Sequence, residues 1–155
     1  MFEELLKACK KNEIEKVRIL LNNGVDPTEY DNMALEICSI YGHAELVKLL
    51  LQDPRVDPSQ NENYSIQLAS EYGQTEVVKI LLKDPRVNIS DCYYHAIRWA
   101  SRNDHVDTLK ELLKDPRLDL SSVMIKKIIA SCNNKKIKKM LNDLLINDIK
   151  DIYKL

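Results

Sequence analysis

Three histidines (His43, His95 and His105) and four cysteines (Cys9, Cys38, Cys92 and Cys132) are the side chains best equipped for acid–base, nucleophilic or metal chemistry. That chemistry also requires spacing. No Cys-x-x-Cys pair occurs, and no serine or cysteine sits in a Gly-x-Ser-x-Gly type of elbow. Three glycines in the whole chain leave no phosphate-cradling loop. The carboxylates Asp53, Asp84 and Asp115 recur 31 residues apart. Duplicated turn chemistry makes carboxylates periodic, whereas a catalytic pair is unique. His43 and His105 likewise occupy equivalent slots. The expectation is a non-enzyme with no cofactor and no metal, its cysteines free, mostly buried thiols of a reducing compartment.

Charge is the other concentration of chemistry. Lys126, Lys127, Lys135, Lys136, Lys138 and Lys139 fall between positions 120 and 142 with no acid among them, leaving 17 basic against 24 acidic residues elsewhere. Such a cluster can meet phosphates or an acidic partner. It has no interleaved aromatics, so a solvated cap ranks first, an acidic partner second and nucleic acid last.

A repeat positions these residues. Gly42-His43-Ala44-Glu45-Leu46-Val47-Lys48 returns as Gly73-Gln74-Thr75-Glu76-Val77-Val78-Lys79, with a worn copy from Asp104, and Pro54, Pro85 and Pro116 keep the 31-residue step. Each unit reads as two helices. The first covers 33–41, 64–72 or 95–103, with Leu35, Ile66 or Ile97 on the face of Cys38, Ala69 or Ala100. The turns at Asn12, Gly42, Gly73 and Asp104 hold residue types that tolerate a left-handed backbone. The prolines end the second helix, and Val56, Val87 and Leu118 send an apolar side chain back to the neighbouring unit. The connection from 58 to 63 is short and polar. Units of about 1–29, 30–60, 61–91 and 92–121 are expected, then a degenerate unit and cap at 122–155, all in one domain. In the last stretch Ile137, Met140, Leu141, Leu144, Leu145, Ile149, Ile152 and Tyr153 form a helical stripe.

Composition agrees with a soluble chain, with 45% hydrophobic residues, 30% charged residues and a net charge of −1. No 18-residue apolar run could span a membrane. Met1-Phe2-Glu3-Glu4-Leu5-Leu6-Lys7 has no signal-peptide core, so an intracellular, cytoplasmic protein is expected.

The Gly-His-x-Glu-(Leu/Val)-Val-Lys-x-Leu-Leu pattern, after a short helix ending in Cys38-Ser39, Ala69-Ser70 or Ala100-Ser101, resembles the ankyrin repeat. The resemblance covers roughly residues 2–141 and implies an all-α, ankyrin-type helix-turn-helix solenoid of about four repeats plus a helical C-terminal cap. The family's Thr-Pro-Leu-His is replaced by Met33-Ala34-Leu35-Glu36, Tyr64-Ser65-Ile66-Gln67 and His95-Ala96-Ile97-Arg98. Its hydrogen-bond network should therefore be lost, with apolar packing compensating. Shortened fingers, at the tip where the family's β-hairpin projects, and the recurring Leu-Leu-(Gln/Lys)-Asp-Pro-Arg-(Val/Leu) wording look like ankyrin arrays of giant DNA viruses of amoebae, which would leave strand content close to nil and place the protein in host cytoplasm.

The resemblance implies a protein-binding scaffold without catalytic machinery. The family's contact positions carry over to Lys10-Lys11, Ile40-Tyr41, Glu71-Tyr72 and Arg102-Asn103 before each turn, and to Asn32, Asn63 and Tyr94 opening each first helix. Tyr30 and Tyr93 flank this row. Tyr41, Tyr72, Tyr94 and Arg102 are the expected core of a concave partner-binding stripe, because Tyr and Arg dominate interface energetics. The competing reading makes the tyrosines a cover for the core. Trp99 is expected in the core. A monomer is favoured, although 143–155 could pair with a second copy or a partner helix.

Overall fold

The computed structural model describes the backbone of residues 1–87, 89–118 and 122–153, and side chains at 1–87, 95–118, 125–130, 132–143 and 145–146. Among the described residues ten helices follow one another: Phe2–Lys10 (α1), Ile14–Asn22 (α2), Glu29–Tyr41 (α3), Ala44–Leu51 (α4), Gln60–Glu71 (α5), Thr75–Leu82 (α6), Ile89–Arg102 (α7), Val106–Leu113 (α8), Ser122–Ser131 (α9) and Lys135–Tyr153 (α10). No strand occurs among the described residues.

The odd-numbered helices stack on one another in the order α1, α3, α5, α7, α9, and α2, α4, α6 and α8 stack beside them. This is an all-α, ankyrin-type solenoid in which each unit buries its apolar face against the next. One continuous core results. In α4, Leu46, Val47 and Leu50 are fully buried, and Val77, Val78 and Leu81 repeat the pattern in α6. Burying each such side chain contributes roughly 1.5–3 kcal/mol. Leu35, Ile66 and Ile97 lie opposite them, and Val56 and Val87 return into the core after the prolines. At the C-terminal end Ile137, Leu141 and Leu145 are buried and Met140 is half-buried. Leu144, Ile149, Ile152 and Tyr153 lie outside the described side chains, as do Cys92, Tyr93 and Tyr94.

The helix-to-helix turns are left-handed at Asn12 (φ 58°), Gly42 (φ 73°), Gly73 (φ 70°) and Asp104 (φ 61°). A second left-handed feature stands where a finger would project. Tyr30, Asp31 and Asn32 (φ 53°, 59° and 66°) make a complete left-handed turn before α3 becomes right-handed, and Asn61, Glu62 and Asn63 (φ 52°, 57° and 61°) do the same in α5. Asp26 and Asp57 hold the approach. Each accepts hydrogen bonds from the backbone N–H and hydroxyl of the residue two on, Thr28 or Ser59, at 2.7–2.9 Å.

Polar side chains also knit the repeats, which corrects the expectation that apolar packing alone compensates for the missing family network. Arg86 donates to the Val56 carbonyl one repeat earlier at 2.8 Å, and Arg117 to those of Val87 (3.3 Å) and Leu82 (2.8 Å). Each arginine is aimed by an ion pair with the aspartate two residues before it: 2.6 Å for Asp53–Arg55 and Asp84–Arg86, 2.8 Å for Asp115–Arg117. Those hydrogen bonds from arginine hold the carboxyls of Asp53 and Asp84 below their ordinary value against the opposing effect of burial.

Candidate functional site

The row before each turn is built on a backbone that the next repeat clamps. His43 Nε2 lies 3.2 Å from the Lys10 carbonyl, Gln74 Nε2 donates to the Ile40 carbonyl at 2.7 Å, and His105 Nε2 lies 2.9 Å from the Glu71 carbonyl. These three residues are also the N-caps of α4, α6 and α8, and none caps its own helix with its side chain. The usual local capping bond is exchanged for a bond across the repeat boundary. Asn103 Nδ2 adds a second donor to the Glu71 carbonyl at 2.8 Å.

On this frame Tyr41 and Tyr72 are exposed, at 45% and 52%. Arg102 and Asn103 are exposed as well, whereas Ile40 and Glu71 are half-buried. Tyr41 is held on two sides. Its ring stacks on His43 at 5.8 Å between centroids, 14° from parallel, and Lys10 Nζ stands 5.8 Å over it. Arg102 lies 6.0 Å over the ring of Trp99. Trp99 is half-buried rather than a core residue, because one face of its indole carries that guanidinium. Tyr30 is 72% exposed and touches Phe2, with ring centroids 5.7 Å apart.

Asn32 and Asn63 do not belong to a solvent-facing row. They are 2% and 3% exposed. The left-handed turn ends on these residues, and Asn32 thereby points into the seam between repeats. Its Nδ2 donates to the Asp57 carbonyl at 3.1 Å and to Gln60 Oε1. Residue-type reasoning missed this role. The available signal was an asparagine returning at the repeat interval just before an apolar helix.

The arrangement offers little for catalysis. His43 and His105 are engaged with main-chain carbonyls. Cys9, Cys38 and Cys132 are buried free thiols. Contact with Cys9 first, then burial, pushes the Cys38 thiol well above its usual range. Among the described residues no group of three His, Cys, Asp or Glu side chains is placed to hold a metal, and no helix is long and apolar enough to cross a membrane. Two grooves of about 270 and 280 Å³ lie between successive second helices, one lined by Arg18, Leu49 and Asp53, the other by Lys79, Glu111 and Asp115, away from the row.

Fold and frame together define a helical repeat scaffold that presents side chains from rigid backbone positions. Residues 4–62 match the family model described as ankyrin repeats (3 copies). No curated protein matches the chain. Ankyrin repeats are generally protein–protein interaction modules without catalytic machinery.

Proposed function

We propose that this chain is a non-catalytic scaffold that grips another protein through the residues preceding its turns. Tyr41, Tyr72, Tyr94 and Arg102 form the core of the stripe, with Ile40, Glu71 and Asn103 beside them. The observation that carries this reading is the pair Tyr41 and Tyr72. Two rings of the type that most often anchors interfaces stand exposed at equivalent points of consecutive repeats, each on backbone fixed by the next unit. A rigid aromatic loses little conformational entropy on docking, so more of its contact energy survives as affinity. Asn32 and Asn63 are no part of this surface. The chain works as a single domain, and its Lys-Asp-Pro-Arg wording favours a viral array whose partner is a host or viral protein.

Affinity capture from candidate host-cell lysate tests it, comparing the wild type with Tyr41, Tyr72, Tyr94 and Arg102 all changed to Ala. Helical circular dichroism and melting of the variant come first. The expected result is loss of a captured partner with the fold intact. A partner that still binds the variant moves the interface elsewhere.

A further inference from the structure

The second helices carry a charge ladder on their outer face. Glu15–Arg18 (3.8 Å), Glu45–Lys48 (2.7 Å), Glu76–Lys79 (2.7 Å) and Asp107–Lys110 (3.1 Å) are ion pairs one turn apart in α2, α4, α6 and α8. The pairs also speak across repeats: the Glu76 carboxyl is held low by Lys79 first and also feels Lys48, while the Lys79 ammonium feels Asp107 and Glu111 besides Glu76. Glu76 and Asp107 each therefore face a lysine of their own helix and one of the helix before.

The register continues into α10. Leu46, Val77, Thr108 and Ile137 are the buried residues that open each second helix, and Leu50, Leu81, Leu112 and Leu141 follow one turn later. Lys136 thus stands where Glu45, Glu76 and Asp107 stand, and Lys139 where Lys48, Lys79 and Lys110 stand. The sign has inverted at the acidic position. The Asp107 carboxyl is held low by Lys110 first and also feels Lys136 and Lys79, so three lysines share one carboxylate at this end of the ladder.

Two further features point the same way. Lys135, Lys136, Lys138 and Lys139 crowd the first turns of α10, which has no acid in its first turn, whereas α2, α4, α6 and α8 each open on one. Ammonium groups at that end oppose the helix dipole. Asn134 Oδ1 accepts from the N–H groups of Lys136 (2.8 Å) and Ile137 (3.2 Å), so the helix starts there by capping and in spite of its charge. Among the described residues these four lysines form no direct ion pair, Lys136 acting on the Asp107 carboxyl only from a distance, and Lys126 and Lys127, exposed on α9, extend the positive field.

We propose that the C-terminal end of this layer, Lys110 with Lys135, Lys136, Lys138 and Lys139, is a docking surface for an acidic segment of another protein, a helix whose carboxylates supply the members the ladder lacks. The surface is distinct from the tyrosine row. Protein is favoured over nucleic acid because the missing group is a carboxylate at helix-to-helix spacing, and because residues 122–146 contain no aromatic on which a base could stack.

The test uses the full chain and a fluorescein-labelled helical Ala–Glu peptide, read by anisotropy at low ionic strength, with an Ala–Gln peptide as control. The key variant is Lys135→Glu with Lys136→Glu. Its new carboxylates suit the helix N-terminus and give Lys110 an acid on the next helix, while Asp107 loses the lysine it feels at 136, so its Tm should stay close to that of the wild type. Binding should nevertheless weaken about tenfold or more, and wild-type binding should fall steeply with salt. Should the variant melt lower, Lys135→Gln with Lys136→Gln removes the charge without adding repulsion and must still weaken binding. Equal binding by wild type and variant overturns the proposal. So does a preference for a DNA duplex over the peptide, or indifference between the two peptides. Tyr41→Ala with Tyr72→Ala should leave peptide binding unchanged, which separates failure here from failure of the tyrosine row.

Discussion

His105 lies directly over Gly73: its Nε2 is 2.9 Å from the Glu71 carbonyl, and a Cβ placed on Gly73 would stand 2.5 Å from its Nδ1. Glycine is required here for two separate reasons, a φ of 70° and the imidazole above it. Gly73→Ala should therefore cost more than the roughly 1–2 kcal/mol of a left-handed non-glycine residue. Urea unfolding of Gly73→Ala, His105→Ala and the pair separates the terms. The double variant should recover about 1 kcal/mol relative to additivity, because the clash disappears with the ring. Strict additivity would mean that the ring moves aside at no cost.

Asp84 makes the arginine ladder dependent on pH. Hydrogen bonds from Arg86 hold its carboxyl below the ordinary 3.8. A depressed carboxyl stabilises the fold above its unfolded pKa, and that stabilisation is lost as pH falls through the lower folded value. Stability should hold near neutrality and decline below about pH 4. Asp84→Asn should cost about 1–2 kcal/mol at pH 7 by weakening a charge-assisted pair and should flatten the acid limb. Glu36 has the opposite sign, since burial raises its carboxyl, so Glu36→Gln should not reproduce that flattening. Chemical unfolding from pH 3 to 7 checks both.

The elements legible in the chain were those that one residue type decides locally. Asn12, Gly42, Gly73 and Asp104 mark left-handed turns because few residues accept φ > 0, and the prolines mark helix ends because the ring permits nothing else. The left-handed turns at 30–32 and 61–63 were not legible. Tyr30 and Glu62 resist that conformation, and it persists because Asp26 and Asp57 brace the approach and Asn32 anchors into the next repeat. The placement of Asn32 and Asn63 on the surface failed for the same reason: their side-chain direction follows from the turn. For the exposed tyrosines the opposite holds. Tyr41 ends its helix and Tyr72 caps its own beside a tight turn; the repeat spacing marked the turn, and the resemblance to ankyrin repeats implied the outward position.

Asn32 should be intolerant of truncation. Asn32→Ala removes the donor to the Asp57 carbonyl at 3.1 Å while leaving a left-handed alanine at φ 66°. A buried acceptor without its partner costs about 1–3 kcal/mol, and the backbone strain adds to that. Asn32→Gly keeps the conformation and loses only the hydrogen bonds, so it should lie between Ala and the wild type. If Ala and Gly are equal in melting experiments, the left-handed turn contributes no strain.

Ser39, Ser70 and Ser101 hold one slot in three successive repeats, all fully buried, yet their hydroxyls are not equivalent. Ser39 Oγ donates to the Leu35 carbonyl at 2.8 Å and Ser70 Oγ to the Ile66 carbonyl at 2.7 Å. Ser101 Oγ is buried with no hydrogen-bond partner among the described residues, although Cys132 Sγ, in the same slot one repeat on, reaches the Ser101 carbonyl at 3.7 Å. A satisfied buried hydroxyl contributes about 1 kcal/mol, whereas an unsatisfied one costs its own desolvation. Ser39→Ala and Ser70→Ala should therefore destabilise by about 1 kcal/mol, and Ser101→Ala should be neutral or stabilising. Parallel urea titrations of the three variants decide it. Equal losses at all three positions would show that the Ser101 hydroxyl finds a partner in solution and that the slot is uniform along the solenoid.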